Sequence, residues 1–288
     1  MNADGYNRNC SGSKKEMCMR MKAWLRPVSL TAALGLTLAA LVWNAGCTQP
    51  YSGKSSAEFQ NATIDALLDG NYDGDMPFSE LKRHGDFGLG TFDHLDGEMV
   101  ALHGTFYQVT SDGHVHVADD AMKSPFSAVT FFRSGTARPL TAAATYHDLQ
   151  TALDGMRQSD GRVFAFCVEG RFAHVRVRSV PRQKPPYRRL AEVTKEQTVF
   201  DLKDVSGTLV GFWFPESLRH VNVPGYHFHF LTNDRTAGGH VLDLKMIDGT
   251  VRMQELKVVK LALGPHAPAT RPAQETPPAA GELDSAEK

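Results

Sequence analysis

Tyr226-His227-Phe228-His229-Phe230-Leu231 alternates imidazole with apolar side chains. In a β-strand, where successive side chains point to opposite faces, His227 and His229 share one side. Thr232 to Gly239 is rich in turn formers, and His240-Val241-Leu242-Asp243-Leu244 resumes the alternation. A hairpin over these residues returns His240 beside His229. Three imidazoles without a fourth protein ligand leave coordination positions open, the arrangement of a catalytic rather than a structural metal site. Such a donor set suits zinc, with nickel, cobalt or iron also compatible. His114-Val115-His116 has the same spacing, but it follows an Asp112-Gly113 turn, lacks a third histidine nearby, and reads as a solvated strand face. A cupin-like barrel also uses His-x-His, yet the glutamate that should follow is missing from Phe230-Leu231-Thr232-Asn233.

Strands must hold these residues, and the pattern along the chain supplies them. Helical spacing of Ala57, Phe59, Ile64, Ala66, Leu67 and Leu68 predicts one helix over Ser55 to Leu68, stopped by Asp69-Gly70. A short helix is expected over Ser79 to Arg83, then glycine-marked bends at Gly85, Gly88 and Gly90. Met99 to Leu102 and Thr105 to Val109 flank a His103-Gly104 turn as a meander. Ala128 to Phe132, Arg162 to Val168 and Arg171 to Val177 read as strands, and Tyr146 to Leu153 and Tyr187 to Val193 as helices. The last part reads as strands over Thr198 to Leu202, Ser206 to Phe214, Tyr226 to Thr232, Gly239 to Ile247 and Val251 to Leu263. The expected fold is mixed α/β and β-rich. Two β-sheet halves, about 55–180 and 195–263, carry a few helices, and the metal site lies on a strand hairpin of the second half.

The chain has 288 residues, 42% of them hydrophobic, enough to bury a full core. Lysine and arginine number 31 against 32 acids, a net charge of −1, which gives no global attraction to nucleic acid. A small-molecule partner is expected, and a homodimer stays open. Arg20, Lys22 and Arg26 precede an apolar run, Val28 to Trp43, that ends in Ala45-Gly46-Cys47. This is the layout of a secretory signal peptide over residues 1–47, with a run shorter than the roughly 20 residues of a spanning helix. Small residues before Cys47 also suit a bacterial lipoprotein site, from which Asn44 departs. Export is expected, to the periplasm, the outer membrane through a lipid on Cys47, or the medium. Beyond that leader only Cys167 remains, inside the apolar run Val163 to Val168, so no intrachain disulfide is available to the mature domain, 48–263. Residues 264–288 form a tail rich in proline and alanine.

Pro224 to Leu231 with Asp234-Arg235 and Gly238-Gly239-His240-Val241-Leu242-Asp243 resembles the metal-binding segment of bacterial alpha-acetolactate decarboxylases. Leu67 to Asp75, His84 to Phe92 and Leu95-Asp96-Gly97-Glu98 resemble that family's amino-terminal signature, and Val175 to Gln183 with Pro186-Tyr187 fits a third block. These run in family order over about 57–263. The resemblance implies conversion of 2-acetolactate to acetoin with a bound metal, zinc first. It implies that Arg178 meets the substrate carboxylate or the developing charge, that Glu98 handles the added proton, and that Thr91 hydrogen-bonds the metal-bound groups. The family also draws a second acid from near its terminus. Here Glu287 is the nearest candidate and Glu282 the next, although the intervening sequence departs from the family pattern.

Two other readings accommodate the histidines. An open three-imidazole zinc site can activate water in a hydratase or hydrolase, and an exported module can hold a metal without turnover. Acetoin formation separates the first from a decarboxylase, and sensitivity to Arg178→Ala separates the second.

Overall fold

A computed structural model describes residues 56–140 and 144–264, with Gly281, Leu283 and Ala286. In chain order the first part contains β1 (Ala57–Asn61), α1 (Ile64–Leu68), β2 (Met76–Pro77), α2 (Phe78–His84), β3 (Phe87–Thr91), β4 (Glu98–Leu102), β5 (Thr105–Val109), β6 (Val115–Val117), β7 (Lys123–Ser124), β8 (Ser127–Thr130) and β9 (Arg138–Leu140). The second contains α3 (Tyr146–Asp154), β10 (Val163–Ser179), α4 (Leu190–Val193), β11 (Thr198–Phe214), β12 (Gly225–Thr232), β13 (Gly238–Leu256) and β14 (Val258–Ala262). Strands dominate, as the alternation predicts.

Among the described residues one sheet runs β14-β1-β8-β3-β4-β5-β6 and a second β10-β11-β12-β13-β9. Because β10 bonds both β11 and β13, while β12 joins β11 to β13, four strands of the second sheet close on themselves. Alternation then sorts the side chains. Phe228 and Phe230 of β12 enter an apolar cluster with Phe166, Val177 and Val241. The opposite face of the second sheet packs Ala165, Cys167, Val210 and Phe212 against Phe87, Leu89, Val100 and Ala128 of the first sheet. His227 and His229, partners of Phe212 and Val210 across β11, stand on that inter-sheet face.

Several expected elements differ. The predicted helix from Ser55 to Leu68 is a strand followed by a short helix: β1 pairs in parallel with β14 and antiparallel with β8. Sheet pairing overrides the helical spacing there. Ala62 at φ 59° makes the corner, and Thr63 caps α1 by accepting the Ala66 N–H at 3.2 Å. The strands predicted on either side of Glu169-Gly170 are one 17-residue strand, β10, as are those assigned to Thr198–Leu202 and Ser206–Phe214, which form β11. Conversely, the run Val251 to Leu263 divides between β13 and β14, the latter crossing to the first sheet. Only Leu190–Val193 of the expected Tyr187–Val193 helix is α-helical, with Arg189 extended before it at φ −63° and ψ 150°; the side chains of Tyr187, Arg188 and Arg189 bond Asp73, Glu196 and Asp69. The helix expected after residue 145 forms as α3, with a Thr145–Asp148 capping box. Cys167 is buried, and burial pushes its thiol up to about 11, with Glu169 adding to the shift, as for a structural residue.

The leader, residues 1–47, lies outside the described residues, as do Glu282 and Glu287. Among the described residues no helix is long and apolar enough to cross a membrane.

Candidate metal and active site

The hairpin predicted from the histidine spacing forms. His229 of β12 pairs with His240 of β13, and His240 pairs in turn with Arg178 of β10. Antiparallel partners point to the same side of a sheet, so Arg178, His240 and His229 make one row facing the first sheet. His227 stands two residues along β12, on the same face. Gly239 permits the close approach. Its φ is +139°, and a Cβ there would lie 2.5 Å from the Arg178 carbonyl oxygen, so a larger residue would push β13 away from β10.

The three imidazoles have centroids 4.8 to 5.4 Å apart, and each offers a ring nitrogen within 4.8 Å of the others. His227 Nε2 and His240 Nδ1 are 3.1 Å apart. His229 Nδ1 lies 2.8 Å from the Met99 carbonyl oxygen. A carbonyl only accepts, so Nδ1 carries the proton and Nε2 keeps its lone pair for a cation. Exposure is 5% or less at all three. Loss of solvation holds His227 well below the ordinary imidazole value, with His229 and Arg178 adding. It takes His229 down to about 3, with Arg178 adding and the Met99 bond opposing. Neutral, converging, desolvated imidazoles fit a divalent metal and would be an expensive way to fill a core without one.

The first sheet supplies the other wall. Thr91 and Glu98 are partners across β3 and β4, both buried, and Glu98 Oε2 lies 3.5 Å from His229 Nε2. The Thr91 hydroxyl donates to the Gly97 carbonyl at 2.7 Å. With that proton committed, Thr91 offers the pocket lone pairs only. Arg178, 3% exposed, donates to Gln197 Oε1 at 3.1 Å. A pocket opens over these groups, lined by Thr91, Glu98, Arg178, His227 and His229 and walled by Leu67, Leu95, Phe126, Val180 and Leu190. The apolar wall belongs to a cluster that also buries Ala286 and takes Leu283 against it. The structure thus brings together six of the eight residues singled out from sequence; Glu282 and Glu287 lie outside the described residues.

Sequence reasoning missed Gln197, the Met99 carbonyl and the apolar wall. Gln197 carries no signature, and a backbone carbonyl has none by nature. Leu95 and Val180 lie inside the resembling blocks and were within reach. His114, just before β6, and His116, on it, are exposed, as expected of a solvated face.

A sequence profile of the family described as alpha-acetolactate decarboxylase matches residues 59–269. The Methanosarcina mazei protein of that name is 46% identical over 209 residues, which cover 73% of this chain and 73% of that one. Its Methylococcus capsulatus namesake is 45% identical over 202 residues, 70% of this chain and 78% of that one. Among solved structures, alpha-acetolactate decarboxylase from Bacillus subtilis strain 168 has a TM-score of 0.77 at 35% identity, covering 80% of this chain and 99% of that one.

Proposed function

Because this chain belongs to the alpha-acetolactate decarboxylase family, we propose that it converts 2-acetolactate to acetoin and carbon dioxide in the pocket between its two sheets. The observation that carries the assignment to this pocket is the row Arg178–His240–His229 set against Glu98.

The substrate bears its carboxylate and a hydroxyl on C2, next to a ketone. Breaking the C1–C2 bond releases carbon dioxide and leaves the bonding pair on C2, spread into the ketone as an enolate. A proton added at C2 then gives acetoin. His227, His229 and His240 would hold a divalent metal, zinc by preference, which when bound would supply Lewis-acid chemistry to the site.

The chain's own groups do the rest. Arg178 holds the carboxylate out of the carbonyl plane, the orientation in which the breaking bond overlaps the ketone, and its fixed fork suits that task. Glu98 delivers the proton to C2. Thr91 accepts a hydrogen bond from the substrate hydroxyl, since its own proton is donated to the Gly97 carbonyl. Leu67, Leu95, Phe126, Val180 and Leu190 receive the two methyl groups and keep water from the carbanion. Glu287 contributes a second carboxylate, a role supported by burial of its neighbour Ala286 against the same wall.

Incubating the purified protein with 2-acetolactate tests this reading. Equal amounts of acetoin and carbon dioxide are expected, and no acetoin above the spontaneous rate would refute it.

The sequence pattern of residues 1–47 supports export, with a lipid on Cys47, and the mass of the mature amino-terminal peptide reads both. A homodimer is supported by Val258, Leu261 and Leu263, exposed along the open edge at β14, where pairing with a second copy covers the edge. Light scattering on the eluting protein measures it.

A further inference from the structure

The segment between β3 and β4 that presents Glu98 is held in a costly shape. His94 and Leu95 have φ of 62° and 56°, and Gly97 has 85°. Consecutive non-glycine residues in the left-handed region persist only where their surroundings fix them. Gly97 also sits hard on β5, for a Cβ there would lie 2.2 Å from the Val109 carbonyl oxygen. Two successive carbonyls of this turn are gripped by buried side chains. Thr91 donates to the Gly97 oxygen at 2.7 Å, and the Gln108 amide donates to the Asp96 oxygen at 2.6 Å.

The grips come from opposite faces of the first sheet. Thr91 is the register partner of Glu98 and shares its face. Gln108 is the partner of Met99 and lies on the other face, with only 6% exposure. The remaining side-chain anchor of Asp96, its carboxylate on Arg182 at 3.2 Å, is half exposed at the surface and correspondingly weak.

We infer that Gln108, which touches neither substrate nor metal, is a positioning residue for the decarboxylation: it clamps the Asp93–Gly97 turn from behind and so fixes the Glu98 carboxylate and the Leu95 wall together. Without the amide the Asp96 carbonyl turns toward water, the left-handed residues relax, and both groups shift. The metal ligands, on the second sheet, stay where they are. The inference rests on the reading of Glu98 as the proton donor.

The test compares Gln108→Leu and Glu98→Gln in the full chain, measuring kcat, KM, bound metal per chain and thermal midpoint. For Gln108→Leu, kcat falls about ten- to a hundredfold, as expected for a misplaced catalytic group. KM and metal content stay near those of the parent. A merely structural Gln108 would lower the thermal midpoint and leave kcat unchanged in the folded enzyme, which overturns the inference. If Gln108→Leu does not fold, Gln108→Glu, of equal size but without the donor, is judged by the same criteria. Retained turnover in Glu98→Gln would instead remove the reading of Glu98 beneath it.

Discussion

Two His-x-His pairs of identical spacing occur in this chain, one within β12 and the other at the start of β6, and they meet opposite environments. His227 and His229 sit in the middle of the second sheet, between β11 and the start of β13, with a third imidazole in register and a second sheet packed over them. His114 and His116 flank Val115 at an outer edge of the first sheet, exposed, with ring centroids 6.4 Å apart. Spacing places two imidazoles on one face in both cases. What makes a candidate metal site of one pair is a neighbouring strand that adds a third imidazole and a cover that strips water from the nitrogens.

The most severe way to break the comparison is to remove a ligand. His229→Ala is expected to abolish bound metal and acetoin formation together, whereas His114→Ala and His116→Ala leave both at the level of the parent; elemental analysis beside an acetoin assay reads the contrast. Next is the charge beside the ligands. Arg178→Gln should lower kcat by about a hundredfold, the scale of losing one fixed electrostatic contact to the reacting group, with metal content retained. Loss of metal as well would mean that Arg178 serves the site's structure instead.

A smaller effect at the buried pair is read by pH. The buried imidazoles refuse protons down to about pH 3 at His229, while in the unfolded chain they accept them near 6.5. Their contribution to stability is therefore present above about pH 6.5 and declines as pH falls, each by at most about 1.4 kcal/mol per pH unit. Urea midpoints between pH 7 and pH 5 should fall less steeply in His229→Ala than in the parent. The smallest effect lies away from both pairs. Glu58 is fully buried, and burial raises its carboxyl well above the ordinary range. A raised carboxyl favours the folded state below the unfolded value near 4.3 and opposes it increasingly as pH rises. Glu58→Gln is thus expected to raise stability at pH 7 by about 1 kcal/mol and to change little at pH 4; a lower urea midpoint at pH 7 would contradict this.

The hairpin was legible because alternation and a glycine-bearing turn are local signals. His227, His229 and His240 lie within a single stretch, so a strand's period of two and one reversal suffice to join them. Arg178 and Glu98 could not be placed that way. Arg178 reaches His240 through pairing of two long strands, and Glu98 reaches His229 only through packing of one sheet on another; a resembling motif, not periodicity, pointed to them. The same limit produced the wrong helix at residues 57–61. The partners of β1 are β8 and β14, some seventy and two hundred residues away, and nothing near Phe59 announces them. Gln108 was invisible for a further reason, since its bond is to a backbone carbonyl of a turn whose strain appears only in its dihedral angles.

The central claim, that one metal held by the buried imidazoles drives decarboxylation, is tested most directly by titrating zinc into chelator-stripped protein while following acetoin. Activity should rise linearly and saturate at one equivalent per chain, and His229→Ala should stay inactive throughout. Full turnover in the stripped protein before any metal is added would contradict the account.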